Sequence, residues 1–146
     1  MGDKTYPVSS WISFLFRSRR KFMGKKLESR GAACGMYMIL LAAARNDGAS
    51  QEQISDLLKI DKTSTAKSVK KLEDEGFVVR KPDCADKRVN RVFLTPKGRG
   101  VVPEIESALL EWDRIIRSGI SEEDCRRAEE ILQRMAENAC GEIRKL

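Results

Sequence analysis

SQEQISDLLKIDKTSTAKSVKKLEDEGFVVRKPDCADKRVNRVFL is the sequence of residues 50–94, and two helix starts within it decide the fold. Ser50, with Gln53 three residues later, has the pattern of a capping box at the start of a helix. Asp61 is placed to cap a second helix, whose apolar residues recur every three positions. Because only two or three residues join them, these two helices predict a helix-turn-helix.

The hydrophobic period changes after Gly76, which stands where a glycine usually ends a helix. Residues 77–81 and 89–94 have the composition of short strands, and a polar turn at 82–87 separates them. A β-hairpin with a basic tip, directly after the helix pair, is a wing. The predicted fold is therefore mainly α with a small β-hairpin wing, built on a winged helix-turn-helix core.

Helical patterns flank this core on both sides. Before it, helices are expected over about 8–29 and 33–46. After it, Thr95 and Pro96 suit the N-cap and first position of a helix whose apolar residues are spaced 3, 4, 3, 4. Ser121 is placed to cap a last helix with a 4, 3, 4 spacing. These coiled-coil-like stripes predict N- and C-terminal dimerisation helices, with an intramolecular helical hairpin as the alternative.

The charge of the chain is unevenly placed. Its 146 residues carry 28 Lys and Arg against 22 Asp and Glu, a net charge of +6. Residues 59–99 hold twelve bases and six acids, whereas residues 100–146 hold seven bases and eleven acids. A basic middle beside an acidic tail favours a surface that binds a polyanion. Surface charge that is uneven for no functional reason would give the same counts.

The sequence contains no histidine, which excludes several classes of site. The chain cannot form a Ser-His-Asp triad, a Cys-His nucleophile pair or a His-ligated zinc site. It also lacks paired catalytic residues and a glycine loop for phosphate. We therefore expect a protein that is not an enzyme and that holds no metal or cofactor.

The cysteines and the apolar runs bear on location. Cys34, Cys84, Cys125 and Cys140 form no CxxC pair, which disfavours a zinc ribbon and favours free thiols in a reducing compartment. The longest apolar run, residues 36–44, is too short to cross a bilayer. We expect a cytoplasmic protein with no membrane contact.

The predicted helix at 61–75 has one apolar face and one face of lysines and hydroxyls. Short hydroxyl side chains suit close approach to base edges, and lysines suit the phosphate charge. A solvated amphipathic helix is the alternative, but the capped helix before it and the basic hairpin after it favour DNA binding. At the hairpin tip, an arginine on a thin β-ribbon suits a narrow minor groove, although an ordinary exposed turn would look similar.

The stretch from Gly35 to Gly98 resembles the winged-helix core of the MarR family of transcription regulators. The resemblance rests on the recognition-helix start at 61–65, its end at 72–77, the wing signature Asp86-Lys87-Arg88 and the Leu-Thr-x-x-Gly pattern at 94–98. The flanking helices follow the family's order too. The resemblance implies a homodimer that binds a pseudo-palindromic operator, usually as a repressor. It implies that Arg88 enters the minor groove with Asp86 as its support.

These observations give three sets of candidate residues. The candidate DNA-binding residues are Ser50, Lys62, Thr63, Ser64, Thr65, Lys67, Ser68, Lys71, Lys87, Arg88 and Arg91. Asp86 is the candidate wing support. The candidate dimer interface contains Trp11, Ile12, Leu15, Leu109, Trp112, Ile116, Leu132 and Met135.

The residue patterns predict the domain organisation and are compatible with more than one function. Residues 32–100 are expected to form the DNA-binding lobe, and residues 5–31 and 101–146 the helical dimerisation region. A winged-helix module that binds protein instead of DNA is one alternative. A regulator that senses oxidants through Cys34 or Cys84 is another. The family resemblance also suggests a small aromatic or anionic effector in the crevice between the DNA-binding lobe and the dimer helices.

Overall fold

A computed structural model of the chain describes residues 6–143 and 145, apart from the side chain of Ala32. Residues 5, 144 and 146 of the predicted dimerisation region lie outside the described residues. The elements are α1 (Val8–Lys26), a short 3-10 helix (Glu28–Arg30), α2 (Ala32–Arg45), α3 (Gln51–Leu58), α4 (Lys62–Asp74), β1 (Val78–Pro82), β2 (Asn90–Leu94), α5 (Pro96–Ile116) and α6 (Glu122–Ile143). The predicted fold class, mainly α with a β-hairpin wing, is confirmed.

Side-chain caps set the starts of the central and C-terminal helices. Ser50 accepts a hydrogen bond from the Gln53 amide at 3.1 Å, and the Gln53 side chain accepts one from the Ser50 amide at 2.8 Å, which completes the predicted capping box. Asp61 accepts from the Ser64 amide at 2.8 Å at the start of α4. Thr95 accepts from the Gly98 amide, and Ser121 from the Asp124 amide, both at 3.1 Å.

The first helix ends earlier than the sequence predicts. It stops at Lys26, and the chain continues through the 3-10 helix to Gly31, whose φ of +56° is unfavourable for a residue with a side chain. The amphipathic pattern continues beyond Lys26, because Leu27 is buried in the way an apolar residue of the helix would be. A prediction from periodicity therefore extends α1 to about residue 29 although the backbone has already left the α-helical conformation.

The wing contains one more paired segment than the predicted hairpin. β1 and β2 are antiparallel, with Val78 opposite Leu94 and Pro82 opposite Asn90. Ser50 also forms a bridge with Arg91, and the Val92 amide donates to the Ala49 carbonyl at 2.9 Å. This bridge attaches the loop before α3 to the wing. A single bridged residue has no alternating pattern, so the sequence does not reveal it.

The chain divides into two compact units, one up to Leu110 and one from Glu111 onward. In the first unit, residues from helices α1 to α5 and from the wing share one hydrophobic core. Its fully buried large side chains include Met23, Leu40, Ile54, Leu72 and Ile105. This core fixes α3, α4 and the wing to one another.

The second unit contains the end of α5 and α6. Arg117 pairs with Asp113 at 3.2 Å and with Glu129 at 3.5 Å, and Cys125 is buried. Among the helices that the structure describes, none is long and apolar enough to cross a membrane.

Candidate nucleic-acid interface

Helix α4 presents a face of cations and small hydroxyls on the first unit. Lys62, Thr63, Ser64 and Lys67 are exposed along its first two turns, and Ser68 is half-buried beside them. Lys71 is exposed further along the helix. The Asp61 carboxylate, which caps the helix, has its pKa lowered by the hydrogen bonds from Ser64, so it remains charged at the N-terminus.

Thr65 does not belong to this face, and its predicted DNA contact is wrong. Its side chain is 0% exposed. The Thr65 hydroxyl accepts a hydrogen bond from Ser55 at 2.7 Å and donates one to the Asp61 carbonyl at 3.0 Å. The residue follows Asp61 by one helical turn, which places it on the same side as Val69 and Leu72, against α3. Thr65 is therefore a core residue that joins α3 to α4.

Ser50 and Lys62 both have partners within the protein. The Ser50 hydroxyl accepts the capping bond from Gln53, which fixes it at the N-terminus of α3. The Lys62 ammonium forms an ion pair with Glu52, although both side chains remain mostly exposed. The pair lowers the pKa of Glu52 and raises the pKa of Lys62, so each group stays charged.

Arg88 extends into solvent at the tip of the wing and is held by Asp86. Its Nε and Nη2 atoms donate to the two oxygens of Asp86, each at 3.0 Å, and 90% of the Arg88 side chain is exposed. The Arg88 hydrogen bonds also lower the pKa of Asp86. This bidentate pair restricts the guanidinium without burying it. Lys87 is exposed beside it.

Arg91 braces the base of the wing. Its Nη1 atom donates to the Gly48 carbonyl at 2.9 Å, and its Nε atom donates to Asp83. Asp83 also accepts hydrogen bonds from the amides of Ala85 and Asp86, at 2.8 and 3.1 Å. The bond from Arg91, together with these two amide bonds, lowers the pKa of Asp83 to about 2. The sequence predicts Arg91 as a DNA contact from its place near the wing turn, and that contact stays a prediction. Its bonds also orient the wing against the loop before α3.

A second brace, which the sequence did not suggest, joins α4 to the wing. Glu73 accepts hydrogen bonds from the Nε and Nη2 atoms of Arg80 at 2.9 and 2.6 Å, and from the Arg80 amide at 3.0 Å. Arg80 also reaches the side-chain oxygen of Gln51 at 3.5 Å. The brace therefore connects the end of α4, β1 and the start of α3. No spacing rule links the acids at the end of α4 to a strand residue, so the sequence does not reveal this brace.

The candidate dimer residues lie on three helices. On α1, Trp11, Ile12 and Leu15 are 43–55% exposed. Leu109 is partly buried against the core of the first unit. In the second unit Trp112 is half-buried, and Ile116, Leu132 and Met135 are 37–45% exposed. Large apolar side chains with this exposure favour a surface that another chain covers.

The cysteines and acids form no metal-binding group among the residues that the structure describes. Cys34, Cys84, Cys125 and Cys140 are free thiols. Cys84 is exposed at the wing turn, whereas Cys34 is half-buried and donates to the Gly24 carbonyl at 3.5 Å.

Comparisons with known proteins identify the fold and the family. The sequence model of the MarR family matches residues 37–89. The chain is 31% identical to the HTH-type transcriptional regulator YybA of Bacillus subtilis (strain 168) over 104 residues. The matched segment covers 71% of this chain and 69% of that protein.

Solved structures extend the match to nearly the whole chain. A MarR transcriptional regulator from Methanosarcina mazei Go1, known from a crystal structure, is 39% identical in sequence and superimposes with a TM-score of 0.82. The match covers 92% of this chain and 96% of that chain. A putative MarR family regulator from Listeria monocytogenes, solved in complex with 26mer DNA, shares the fold with a TM-score of 0.85 at 24% identity, over 92% of this chain and 89% of that chain. The family is one of regulators and not of enzymes, in agreement with the prediction from the sequence. The chain belongs to the MarR family of winged-helix, DNA-binding transcriptional regulators.

Proposed function

We propose that the protein is a homodimeric repressor that binds a pseudo-palindromic operator in double-stranded DNA. The observation that carries this proposal is Arg88, which is 90% exposed at the tip of the wing and fixed there by Asp86. It belongs to the same unit as the lysine and hydroxyl face of α4. Two separate elements therefore present groups suited to two different grooves of DNA.

Helix α4 is the element that we assign to the major groove. A recognition helix contacts base edges with its N-terminal residues, and in α4 the exposed Thr63 and Ser64 suit this role, while Lys62 suits a phosphate. Lys67 and Lys71 follow on the exposed surface and suit phosphate contacts. Residues 62–68, without Thr65, are thus the proposed reading surface.

The wing is the element that we assign to the minor groove. A narrow minor groove concentrates negative potential and attracts an inserted arginine. The Asp86 pair reduces the number of conformations that Arg88 must give up on insertion. The braces of Arg91 and Arg80 would hold the wing at a constant angle to α4.

The proposed dimer is supported by apolar exposure and by charge. Helix α1 carries six bases and no acid, whereas α6 carries seven acids and three bases. These opposite charges, beside exposed Trp11 and Leu132, suit contact between two copies. Two recognition helices then need a separation of about 34 Å to enter successive major grooves. A bound dimer would act by occluding a promoter.

We include a small-molecule response in this proposal. A cleft of about 430 Å³ in the first unit is lined by residues that include Arg30, Lys97 and Phe77. Arg30 is paired with Glu104, and Glu75 also lines the cleft. The Lys97 ammonium, 4.3 Å from the centroid of the Phe77 ring, is therefore the group that suits an aromatic anion. Such an effector would weaken repression only through a difference in its affinity for the two dimer geometries. Benzoate is a simple probe, and operator affinity that is unchanged at every benzoate concentration would contradict this part.

The cytoplasmic location expected from the sequence stays a prediction.

The direct test is selection of bound sequences from a random DNA library, followed by affinity measurements on the Arg88→Ala variant. We expect a pseudo-palindromic consensus and a loss of about 1–3 kcal/mol of binding free energy in the variant. Arg127→Ala is the matched control, because Arg127 is also an exposed arginine paired with a carboxylate, Glu123, but lies on α6. Equal affinity of Arg88→Ala and the wild type would contradict the wing assignment.

A protein-binding module is the second candidate, and salt separates the two. DNA affinity falls steeply as salt rises, because the protein displaces condensed counterions. A protein partner held mainly by apolar contacts would show a weak dependence. A redox-sensing role for Cys34 or Cys84 would instead appear as operator affinity that changes after mild oxidation and returns on reduction.

A further inference from the structure

Glu52 is a carboxylate on the surface that we assign to DNA. It lies in the first turn of α3, and its Oε1 atom pairs with the Nζ atom of Lys62 at the start of α4. The Glu52 side chain is 63% exposed and the Lys62 side chain 72% exposed. The first cation of the proposed reading surface is therefore already neutralised within the protein.

The pair lies beside a cleft between the helix-turn-helix and the wing. The cleft has a volume of about 230 Å³ and is lined by Ser50, Gln51, Glu52, Lys62, Arg88, Val89 and Asn90. Among these described lining residues, Glu52 is the one acid. A DNA backbone that follows α4 towards the wing would meet Lys62 and Arg88 at a cleft that also contains the Glu52 carboxylate.

The pair contributes little to folding because both partners are in contact with solvent. A phosphate oxygen can replace Glu52 as the partner of Lys62, but the displaced carboxylate then remains close to a negative strand. The exchange is unfavourable for any DNA sequence. The pair therefore stays closed on DNA, and Lys62 is withheld from the phosphates.

We propose that Glu52 is a specificity-determining residue, which withholds Lys62 from the phosphates of non-specific DNA. The inference rests on the proposed function, because it requires α4 and the wing to bind DNA. Non-specific binding is almost wholly electrostatic, so the loss of one cation reduces it directly. Base contacts hold α4 in one position on the operator, so a phosphate contact of Lys62 adds less there than on non-specific DNA, where the protein can shift to meet a phosphate.

The test compares Glu52→Gln with the wild type on the selected operator and on a random-sequence duplex over a range of salt concentrations. We expect the variant to bind the random duplex about fivefold more tightly near 0.15 M salt, with a slope of log affinity against log salt steeper by about 0.9, because one more phosphate is neutralised. Affinity for the operator should rise less, so the ratio between the two affinities should fall.

Asp74→Asn is the matched control. Asp74 pairs with Lys70 at 3.1 Å on the same helix, and Lys70 lies eight residues, or about 12 Å, beyond Lys62. This control should leave both affinities and the salt slope unchanged. Thermal unfolding of each variant separates a stabilising role of Glu52 at the N-terminus of α3 from an effect on DNA.

The outcomes distinguish this inference from the proposed function. Wild-type protein that binds the operator, with Glu52→Gln equal to it on both DNAs, overturns the role of Glu52 and leaves the DNA-binding proposal intact. A lower melting temperature with unchanged DNA slopes also overturns it, in favour of a structural role. Wild-type protein that binds no DNA overturns both.

Discussion

The buried hydroxyl pair of Ser55 and Thr65 joins the two helices of the helix-turn-helix inside the core. Ser55 is 2% exposed and donates to Thr65 at 2.7 Å. Thr65→Val keeps the shape of the side chain but leaves the Ser55 hydroxyl without this acceptor. Because an unsatisfied buried polar group is unfavourable, we expect unfolding to require about 1–3 kcal/mol less free energy, measured by urea denaturation.

Thr63→Val is the control for this substitution. Thr63 lies on the same helix but is exposed, so its replacement should change stability by less than about 0.5 kcal/mol. In DNA binding the order should be reversed. Thr63→Val should change the affinity, because Thr63 is a candidate contact, whereas Thr65→Val removes no contact with DNA. Equal stability of both variants would mean that the Ser55–Thr65 bond does not hold the helices together.

At the residue scale, the sequence predicts exposure well where apolar residues repeat at a helical spacing. It predicts exposure poorly where a polar residue occupies a position of that spacing. Val69 and Leu72 are buried as their spacing predicts. Thr65 occupies the position one turn before Val69, but a threonine among lysines and serines looks like a surface residue. The roles of Arg91 and Arg80 are not readable either, because their partners Gly48 and Glu73 meet them only after the chain has folded.

At the scale of elements, the start of α5 packs directly on the start of β1. A side chain at Gly98 would overlap the carbonyl oxygen of Phe77, which is backbone and cannot rotate away. Gly98→Ala should therefore reduce the free energy of unfolding by about 1–3 kcal/mol through overpacking. Gly100 is the control on the same helix, because a Cβ there meets nothing within 4 Å.

Gly100→Ala should be neutral or stabilising by up to about 1 kcal/mol, since alanine favours helix more than glycine. Thermal unfolding of both variants measures the difference. A Gly98→Ala variant as stable as Gly100→Ala would show that α5 does not need its close approach to β1. The pattern Leu-Thr-x-x-Gly, noted in the sequence as a family resemblance, thus has a packing reason at its glycine.

Element order was predictable because each boundary has a local signal. Ser50, Asp61, Thr95 and Ser121 all cap helices as predicted. The early end of α1 and the bridge between Ser50 and Arg91 were not predictable. The bridge joins segments distant in sequence, and the end of α1 is masked because the apolar pattern continues through the buried Leu27.

At the scale of the whole molecule, the exposed apolar stripe of α6 should be covered by a second copy. Leu132 is 45% exposed in this stripe. Leu132→Lys places a charge there and should shift the mass from light scattering from twice 16.5 kDa towards 16.5 kDa. Gln133→Lys adds the same charge one position away, outside the stripe, and should leave the mass unchanged. A dimer that both variants retain would place the interface elsewhere.

The proposed regulation of transcription depends on sequence-specific DNA binding by α4 and the wing. The most direct measurement is the equilibrium affinity of the wild-type protein for the selected operator and for a scrambled duplex of equal length, titrated over salt. We predict an operator affinity at least about 10³-fold higher than for the scrambled duplex at physiological salt, and a linear decrease of log affinity with log salt for both DNAs. Equal affinity for the two duplexes, or an affinity that does not depend on salt, would contradict the account.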